Sequence, residues 1–179
     1  MKISLVGMPA SGKSTLGKYL SQKLGFTFID LDAYIEQKEG KKIPTLFAQH
    51  GEAYFRACES NYLREVLRPL SSSSLVLATG GGTPCSGENM AWINAHSKSI
   101  WLHTPLDILV QRLARNQKRP LFKDKGEALP EIVQKLFSQR KEYYQKAHLI
   151  IELANFFPKL EGNKEALPLG GPEGPESLS

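Results

Sequence analysis

A glycine-rich stretch near the amino terminus has the residue types and spacing that bind phosphate. Residues 7–15 read GMPASGKST and fit the pattern G-x-x-x-x-G-K-[ST], between a short apolar run and a helical pattern. Glycines let the backbone curl around phosphate oxygens with its N–H groups pointing inward, next to the positive end of a helix dipole. The pattern predicts that Lys13 reaches the β- and γ-phosphates and that the Ser14 hydroxyl holds Mg²⁺. The predicted nucleotide-binding residues of this loop are Ala10, Ser11, Gly12, Lys13, Ser14 and Thr15.

Two carboxylates, Asp30 and Asp32, follow the second apolar run. In an extended segment, side chains at positions i and i+2 point to the same side, so both are predicted to face the crevice beside the phosphate-binding loop. One carboxylate could then serve Mg²⁺ and its waters, while the other meets an acceptor hydroxyl. The alternative is that Asp32 caps the next helix.

Two further motifs have both a chemical and a structural interpretation. Arg56 and Glu59 are three residues apart in a helical stretch and share one face, either as a surface ion pair or with the guanidinium aimed at a substrate carboxylate. Residues 80–82 are three glycines after the third apolar run, which predicts backbone pressed close to a ligand or, alternatively, a flexible turn.

A basic region in the second half of the chain contains a proline and few apolar residues. It predicts a lid, at about residues 112–126, that carries cations over phosphates, and a solvated basic loop is the alternative. Its basic residues are Arg112, Arg115, Lys118, Arg119 and Lys125. No histidine or cysteine has metal-ligand spacing, and Cys85 is predicted to pack as a neutral side chain.

Apolar runs alternate with amphipathic segments along the chain, which predicts a parallel sheet covered by helices on both faces. Ligands of such α/β proteins bind beyond the carboxyl ends of the strands. The predicted strands are residues 3–6, 26–29, 75–78, 100–102 and 149–151. The predicted helices are residues 14–24, 33–39, 52–67, 89–95, 106–115 and 129–144.

The composition is that of one soluble globular domain: 179 residues, of which 41% are hydrophobic and 23% charged. The net charge of +5 comes with no block of like charges, which argues against nucleic acid as the main partner. We expect no membrane span, a cytoplasmic location with both thiols free, and a monomer. Residues 1–161 are predicted to form the domain, and the glycine- and proline-rich residues 162–179 a disordered tail.

Taken together, these motifs resemble the shikimate kinase family of P-loop kinases, over residues 1 to about 152. No motif after the phosphate-binding loop is specific alone, but their order and approximate spacing match. The matching motifs are Gly7–Thr15, Asp30 with Asp32, Phe55-Arg56 with Glu59, Gly80-Gly81-Gly82, Arg119-Pro120-Leu121 and Arg140.

The resemblance implies a three-layer α/β/α fold with a five-stranded parallel sheet in the order 2-3-1-4-5 and a lid. It implies ATP-dependent phosphorylation of the 3-hydroxyl of shikimate, with Mg²⁺, in chorismate and aromatic amino-acid biosynthesis. Asp32 would bind the shikimate hydroxyls and accept a proton, and Asp30 would support Mg²⁺ through water. The other implied roles are a carboxylate clamp by Arg56 and Arg140, an acceptor pocket that includes Glu59, Gly80, Gly81 and Gly82, a lid contact of Arg119 with the phosphates, and stacking of Arg112 on adenine.

The chain departs from the family pattern after the fifth strand, where the family has a further helix whose connection helps to hold adenine. Here the segment of residues 154–162 is short and Pro158 interrupts it, so the adenine contact that this connection makes in the family is not assigned. A gluconate-type kinase and a nucleotide-binding module without turnover are the alternative functions. The presence of Asp32 and Arg119 and the lack of an Asn-Lys-x-Asp motif argue against the second alternative.

Overall fold

The computed structural model describes residues 1–68, 74–115 and 128–153. Its strands are β1 (Lys2–Val6), β2 (Thr27–Asp30), β3 (Leu75–Ala78), β4 (Lys98–His103) and β5 (Leu149–Glu152). Its helices are α1 (Lys13–Leu24), α2 (Leu31–Glu39), α3 (Ile43–Val66), α4 (Asn89–His96), α5 (Leu106–Arg115) and α6 (Leu129–Tyr144), with a short 3₁₀ helix at Thr83–Cys85.

The strands form one parallel sheet in the order β2-β3-β1-β4-β5, which confirms the predicted fold. The central strand β1 lies between β3 and β4, and the chain changes direction along the sheet at this strand. Such a switch point opens a crevice at the carboxyl ends of the strands. The predicted phosphate-binding loop leaves β1 at this crevice.

Alternating side chains of the strands enter two separate cores, one on each face of the sheet. Leu75 and Leu77 belong to the larger core, which includes residues of α2 to α6, whereas Val76 between them belongs to the smaller core beside α1. This alternation follows from the two-residue period of a strand. Helices therefore cover both faces, in the three layers that were predicted.

The long helix α3 was predicted only in part, because the predicted helix begins at Glu52. Residues 43–50 are also helical, and α3 bends at Gly51, where φ is 77° and ψ is 176°. Only Leu46 of residues 43–50 is buried, so the apolar period that would indicate a helix is weak there. Gly51 accepts the positive φ that joins the two helical parts.

Several predicted features lie outside the described residues. They are Arg119 and most of the predicted lid, residues 154–161 with Pro158, and the predicted tail at 162–179. Within the residues that the structure describes, every helix is too short or too polar to cross a bilayer.

Candidate active site

The loop between β1 and α1 has the backbone of an anion-binding loop. Gly7, Ala10 and Gly12 have positive φ angles of 140°, 63° and 95°, and positive φ angles of this kind are found in backbone concavities that bind anions. A Cβ atom at Gly7 would lie 2.8 Å from the carbonyl oxygen of Leu102, so no larger residue fits there. Gly12 stands at the N-cap of α1 without a side chain, which leaves the N–H groups of the first turn available to phosphate oxygens.

Lys13 turns back into this loop. Its ammonium donates to the carbonyl oxygens of Gly7 and Met8, at 3.0 and 2.8 Å, and lies 3.4 Å from the hydroxyl of Ser11. The side chain of Lys13 is buried, with 7% exposed. The structure thus places a desolvated positive charge at the base of the loop, where the charge stabilises an anion more strongly than at an exposed position.

The hydroxyl of Ser14 donates to Asp30 Oδ2 at 2.6 Å, which brings together the two predicted Mg²⁺-binding residues. The other carboxylate oxygen of Asp30 accepts a hydrogen bond from the backbone N–H of Ala33 at 3.3 Å and caps α2. A hydroxyl and a carboxylate beside a phosphate-binding loop fit Mg²⁺, which prefers oxygen ligands and completes its shell with water and substrate phosphates.

The structure corrects two predictions about Asp32: the extended geometry of its segment and its alternative role as a helix cap. β2 ends at Asp30 and α2 begins at Leu31, so Asp32 lies in the first helical turn and not in an extended segment. The alternative role of Asp32 as a helix cap is wrong, because Asp30 is the cap. The fully buried Leu31 between the two aspartates is the side chain that anchors this turn in the core.

Each of the three glycines after β3 lies against a different part of the site. A Cβ atom on Gly80 would lie 2.8 Å from Asp32 Oδ1, and one on Gly82 would lie 2.8 Å from Nη1 of Arg56. On Gly81 it would lie 2.7 Å from Cδ of Pro9, in the phosphate-binding loop. The glycine backbone thus lies against side chains of the site itself, and its predicted close approach to a ligand stays a prediction. Residues 80–82 therefore hold Asp32, Arg56 and the phosphate-binding loop close together.

The Arg56 and Glu59 side chains form a partly buried ion pair at 2.7 Å, between Nη1 and Oε2. Glu59 is 1% exposed, and its second oxygen accepts a hydrogen bond from the Thr83 hydroxyl at 2.6 Å. Arg56 also pairs with the exposed Glu52 at 3.2 Å. Burial lowers the pKa of Arg56, but the carboxylates of Glu59 and Glu52 outweigh it and hold the pKa above its usual value. Arg56 is thus a fixed cation beside residues 80–82, which we call the glycine segment.

Arg140 of α6 approaches the same place from another element. Both Arg140 and Arg56 lie close enough to Cys85 to lower the pKa of its thiol. Burial has the larger, opposite effect and raises the pKa of Cys85 to about 11. Both positive charges therefore act on the region of Cys85, just after residues 80–82, which is compatible with the predicted carboxylate clamp.

The predicted adenine contact Arg112 lies at the phosphate-binding loop, where its Nη1 donates to the carbonyl oxygen of Ala10 at 3.3 Å.

Sequence reasoning missed three residues of the site: Thr83, Pro9 and Tyr144. The hydroxyl of Tyr144 donates to the carbonyl oxygen of Gly81 at 2.6 Å. Pro9 lies within the phosphate-binding motif but at one of its variable positions, whereas Thr83 and Tyr144 act on residues that are distant in sequence.

Most of the site residues described above lie within a segment that matches one known protein family. Residues 9–166 match the protein-family model described as shikimate kinase. The chain belongs to the shikimate kinase family. Its membership agrees with the order of motifs found in the sequence.

Individual shikimate kinases resemble the chain over most of its length. The shikimate kinase of Persephonella marina is 44% identical over 149 residues, which cover 83% of this chain and 87% of the relative. The crystal structure of shikimate kinase from Bacteroides thetaiotaomicron has a TM-score of 0.80 at 36% identity and covers 85% of this chain and 86% of its own. The Acinetobacter baumannii shikimate kinase in complex with shikimate has a TM-score of 0.77 at 33% identity, covering 93% and 95%.

Family membership decides between the candidate reactions. The chain is a phosphotransferase that uses ATP to phosphorylate shikimate, a step of aromatic amino-acid biosynthesis. The shikimate kinases that are between 37% and 44% identical favour this reaction over the gluconate-type and non-catalytic alternatives.

Proposed function

We propose that this shikimate kinase divides its site at the turn between β2 and α2, with the ATP side on one aspartate and the shikimate side on the other. One observation carries the proposal. Asp30 contacts the Ser14 hydroxyl of the phosphate-binding loop, whereas Asp32, two residues later, lies against Gly80 of the glycine segment. The turn between β2 and α2 would then carry one carboxylate toward ATP and the other toward shikimate.

On the donor side, Lys13 and the N–H groups of the loop bind the phosphates of ATP. Ser14, and Asp30 through water, would hold Mg²⁺, which would supply charge neutralisation for phosphoryl transfer. Arg112 contributes a further cation at the loop, and the family resemblance assigns phosphate binding to Arg119 as well. This division suits phosphoryl transfer, which depends on alignment and charge neutralisation more than on covalent chemistry.

On the acceptor side, Arg56 and Arg140 bind the shikimate carboxylate, and residues 80–82 approach the ring with their backbone. Glu59 holds Arg56 in place. Asp32 accepts the proton of the 3-hydroxyl while that oxygen forms its bond to the γ-phosphorus and the bond to the β–γ bridging oxygen of ATP breaks. ADP leaves with that bridging oxygen, and shikimate 3-phosphate is the second product.

The proposal extends to the organisation of the protein. Residues 1–161 are proposed as the catalytic domain and residues 112–126 as its lid, and a monomer stays a prediction. The thiols of Cys58 and Cys85 are free, which supports a location in the reducing cytoplasm.

A coupled ADP-release assay with Mg·ATP tests the proposal on shikimate, quinate, gluconate and nucleoside monophosphates. We expect turnover with shikimate above all others. Asp32→Asn should retain ATP binding and lower kcat by roughly 100-fold or more, since a positioned general base contributes about that much. Asp107→Asn, an exposed aspartate in the first turn of α5, is the matched control and should retain full activity. Near-normal turnover of Asp32→Asn would remove Asp32 from the mechanism.

A further inference from the structure

Tyr144 is a fully buried tyrosine at the end of α6, and its hydroxyl lies where the two halves of the site meet. It donates to the carbonyl oxygen of Gly81 at 2.6 Å and lies 3.8 Å from the sulfur of Met8 in the phosphate-binding loop. The side chain is 0% exposed, and its ring packs on Trp101 of β4. One side chain of α6 thus contacts both the glycine segment and the phosphate-binding loop.

The same hydroxyl lies near Arg140, which is one helical turn earlier on α6. The positive charge of Arg140 is close enough to the Tyr144 hydroxyl to act against the effect of burial, which raises the pKa of Tyr144. Because the hydroxyl proton is donated to Gly81, the lone pairs of the Tyr144 oxygen face the positive field of Arg140. Tyr144 therefore lies between the guanidinium of Arg140 and the backbone of residues 80–82.

Gly81 is held from its other side as well. The distance of 2.7 Å between its ideal Cβ position and Cδ of Pro9 shows that the glycine backbone packs directly on the proline ring. Gly81 is therefore fixed between Pro9, in the donor loop, and Tyr144, on the helix that carries Arg140. A shift of this segment would change the distance between the acceptor hydroxyl and the γ-phosphate.

We propose that Tyr144 is a positioning residue that sets Arg140 and the Gly80-Gly81-Gly82 segment in register with the phosphate-binding loop. The inference rests on the proposed role of Arg140 in binding the shikimate carboxylate. Burial raises the pKa of Tyr144, so its hydroxyl remains a neutral donor at neutral pH. Tyr144 touches neither substrate in this scheme and acts through Arg140 and Gly81.

The first test is Tyr144→Phe, which removes the hydroxyl and keeps the ring in the core. We expect kcat/KM for shikimate to fall roughly tenfold or more at 15 °C, because small misplacements of bound groups cost that much. The KM for ATP should change by less than about threefold. Tyr143→Phe, at the neighbouring residue whose ring contacts Lys146, is the control and should behave as the parent protein.

A structural role alone gives a different result. It would lower the melting temperature of Tyr144→Phe and leave kcat and both KM values unchanged at 15 °C, and that outcome overturns the proposal. A rise in the KM for ATP as large as that in the KM for shikimate would overturn it as well.

A double-mutant cycle tests whether Tyr144 acts through Arg140. If it does, Tyr144→Phe combined with Arg140→Ala costs less in kcat/KM for shikimate than the product of the single effects. Purely multiplicative effects contradict the coupling. If the clamp role of Arg140 is itself wrong, Arg140→Ala alone will change both KM values equally, so the two failures are distinguishable.

Discussion

The guanidinium of Arg56 and the carboxylate of Glu59 are joined at 2.7 Å, with the anion buried and the cation 26% exposed. The pair differs from a surface salt bridge in the second hydrogen bond of Glu59, which comes from Thr83 next to the glycine segment. Glu59 thus links the arginine on α3 to the backbone that approaches the substrate. A guanidinium that is already oriented loses less conformational freedom when it binds a carboxylate.

Glu59→Gln should therefore weaken shikimate binding and destabilise the fold. The neutral amide leaves Arg56 without its buried counter-charge, and we expect a loss of about 1–3 kcal/mol in the free energy of unfolding, measured by urea denaturation. The KM for shikimate should rise roughly tenfold, with that for ATP unchanged. Glu52→Gln removes the exposed partner of Arg56 and should cost less than about 0.5 kcal/mol. Equal losses in the two variants would show that Glu59 has no special role.

Alanine at Gly81 and at Gly82 should give opposite patterns. At Gly82 the new methyl group meets the end of the flexible Arg56 side chain, at 2.8–3.1 Å, so the guanidinium can move. We expect a smaller loss of stability than at Gly81, because the pair with Glu59 is only disturbed, and a KM for shikimate that is roughly tenfold higher. At Gly81 the methyl group meets the ring and backbone nitrogen of Pro9, which cannot move cheaply. This variant should lose about 1–3 kcal/mol of stability and bind ATP less well.

Thermal denaturation and steady-state kinetics on both substrates separate the two outcomes. An effect of Gly82→Ala on the KM for ATP alone would contradict the placement of Arg56 on the acceptor side.

The parts of the site that the sequence predicted are those that depend on local geometry. The phosphate-binding loop needs only its own glycines, and the strand order follows once the motifs indicate the family. Asp30 and Asp32 were correctly assigned to the crevice, but the extended geometry behind that assignment was wrong. The pattern shows where a strand ends only approximately, and here the helix begins one residue after Asp30.

The long-range contacts were not predictable from the sequence. Tyr144 and Gly81 are separated by 63 positions, and Thr83 reaches Glu59 across 24. Neither pair has a sequence spacing that implies contact, because the residues of each pair are brought together only when distant elements pack in the fold. The first part of α3, residues 43–50, was missed for a related reason. Leu46 is its one buried residue, and a single apolar position does not show in the sequence that it packs in the core.

Ser14→Ala should raise the Mg²⁺ concentration needed for half-maximal activity. The hydroxyl is one of two protein oxygens that meet at 2.6 Å, and its loss leaves Asp30 alone to support the cation. Titration of Mg²⁺ at saturating ATP and shikimate should show a shift of roughly tenfold or more. Ser138→Ala, on the exposed face of α6, is the control. An unchanged Mg²⁺ dependence of Ser14→Ala would separate this hydroxyl from the metal.

Cys85 should react slowly with iodoacetamide at pH 8. Burial raises its pKa from 9.0 to about 11, so the thiolate is scarce below pH 9 and becomes abundant only as the pH rises through 11. The higher nucleophilicity of a more basic thiolate offsets part of this loss, which leaves the rate about tenfold or more below that of an unperturbed thiol. The same raised pKa stabilises the fold below pH 9, and that stabilisation is lost between pH 9 and 11. Mass spectrometry of the modified peptide measures the rate, and fast labelling at pH 8 would refute the assignment of a neutral thiol.

Arg140→Ala should raise the KM for shikimate far more than the KM for ATP. A guanidinium that hydrogen-bonds a carboxylate is worth about 1.5–3 kcal/mol, which corresponds to roughly 10- to 100-fold in KM. The half-buried Arg140 shares the surroundings of Cys85 with Arg56, so its loss leaves one of two cations for the substrate carboxylate. Lys141→Ala removes an exposed positive charge at the next position of α6 and controls for the change in overall field. If Arg140→Ala raised both KM values by the same factor, the positive charge of Arg140 would serve the whole crevice and not a carboxylate clamp.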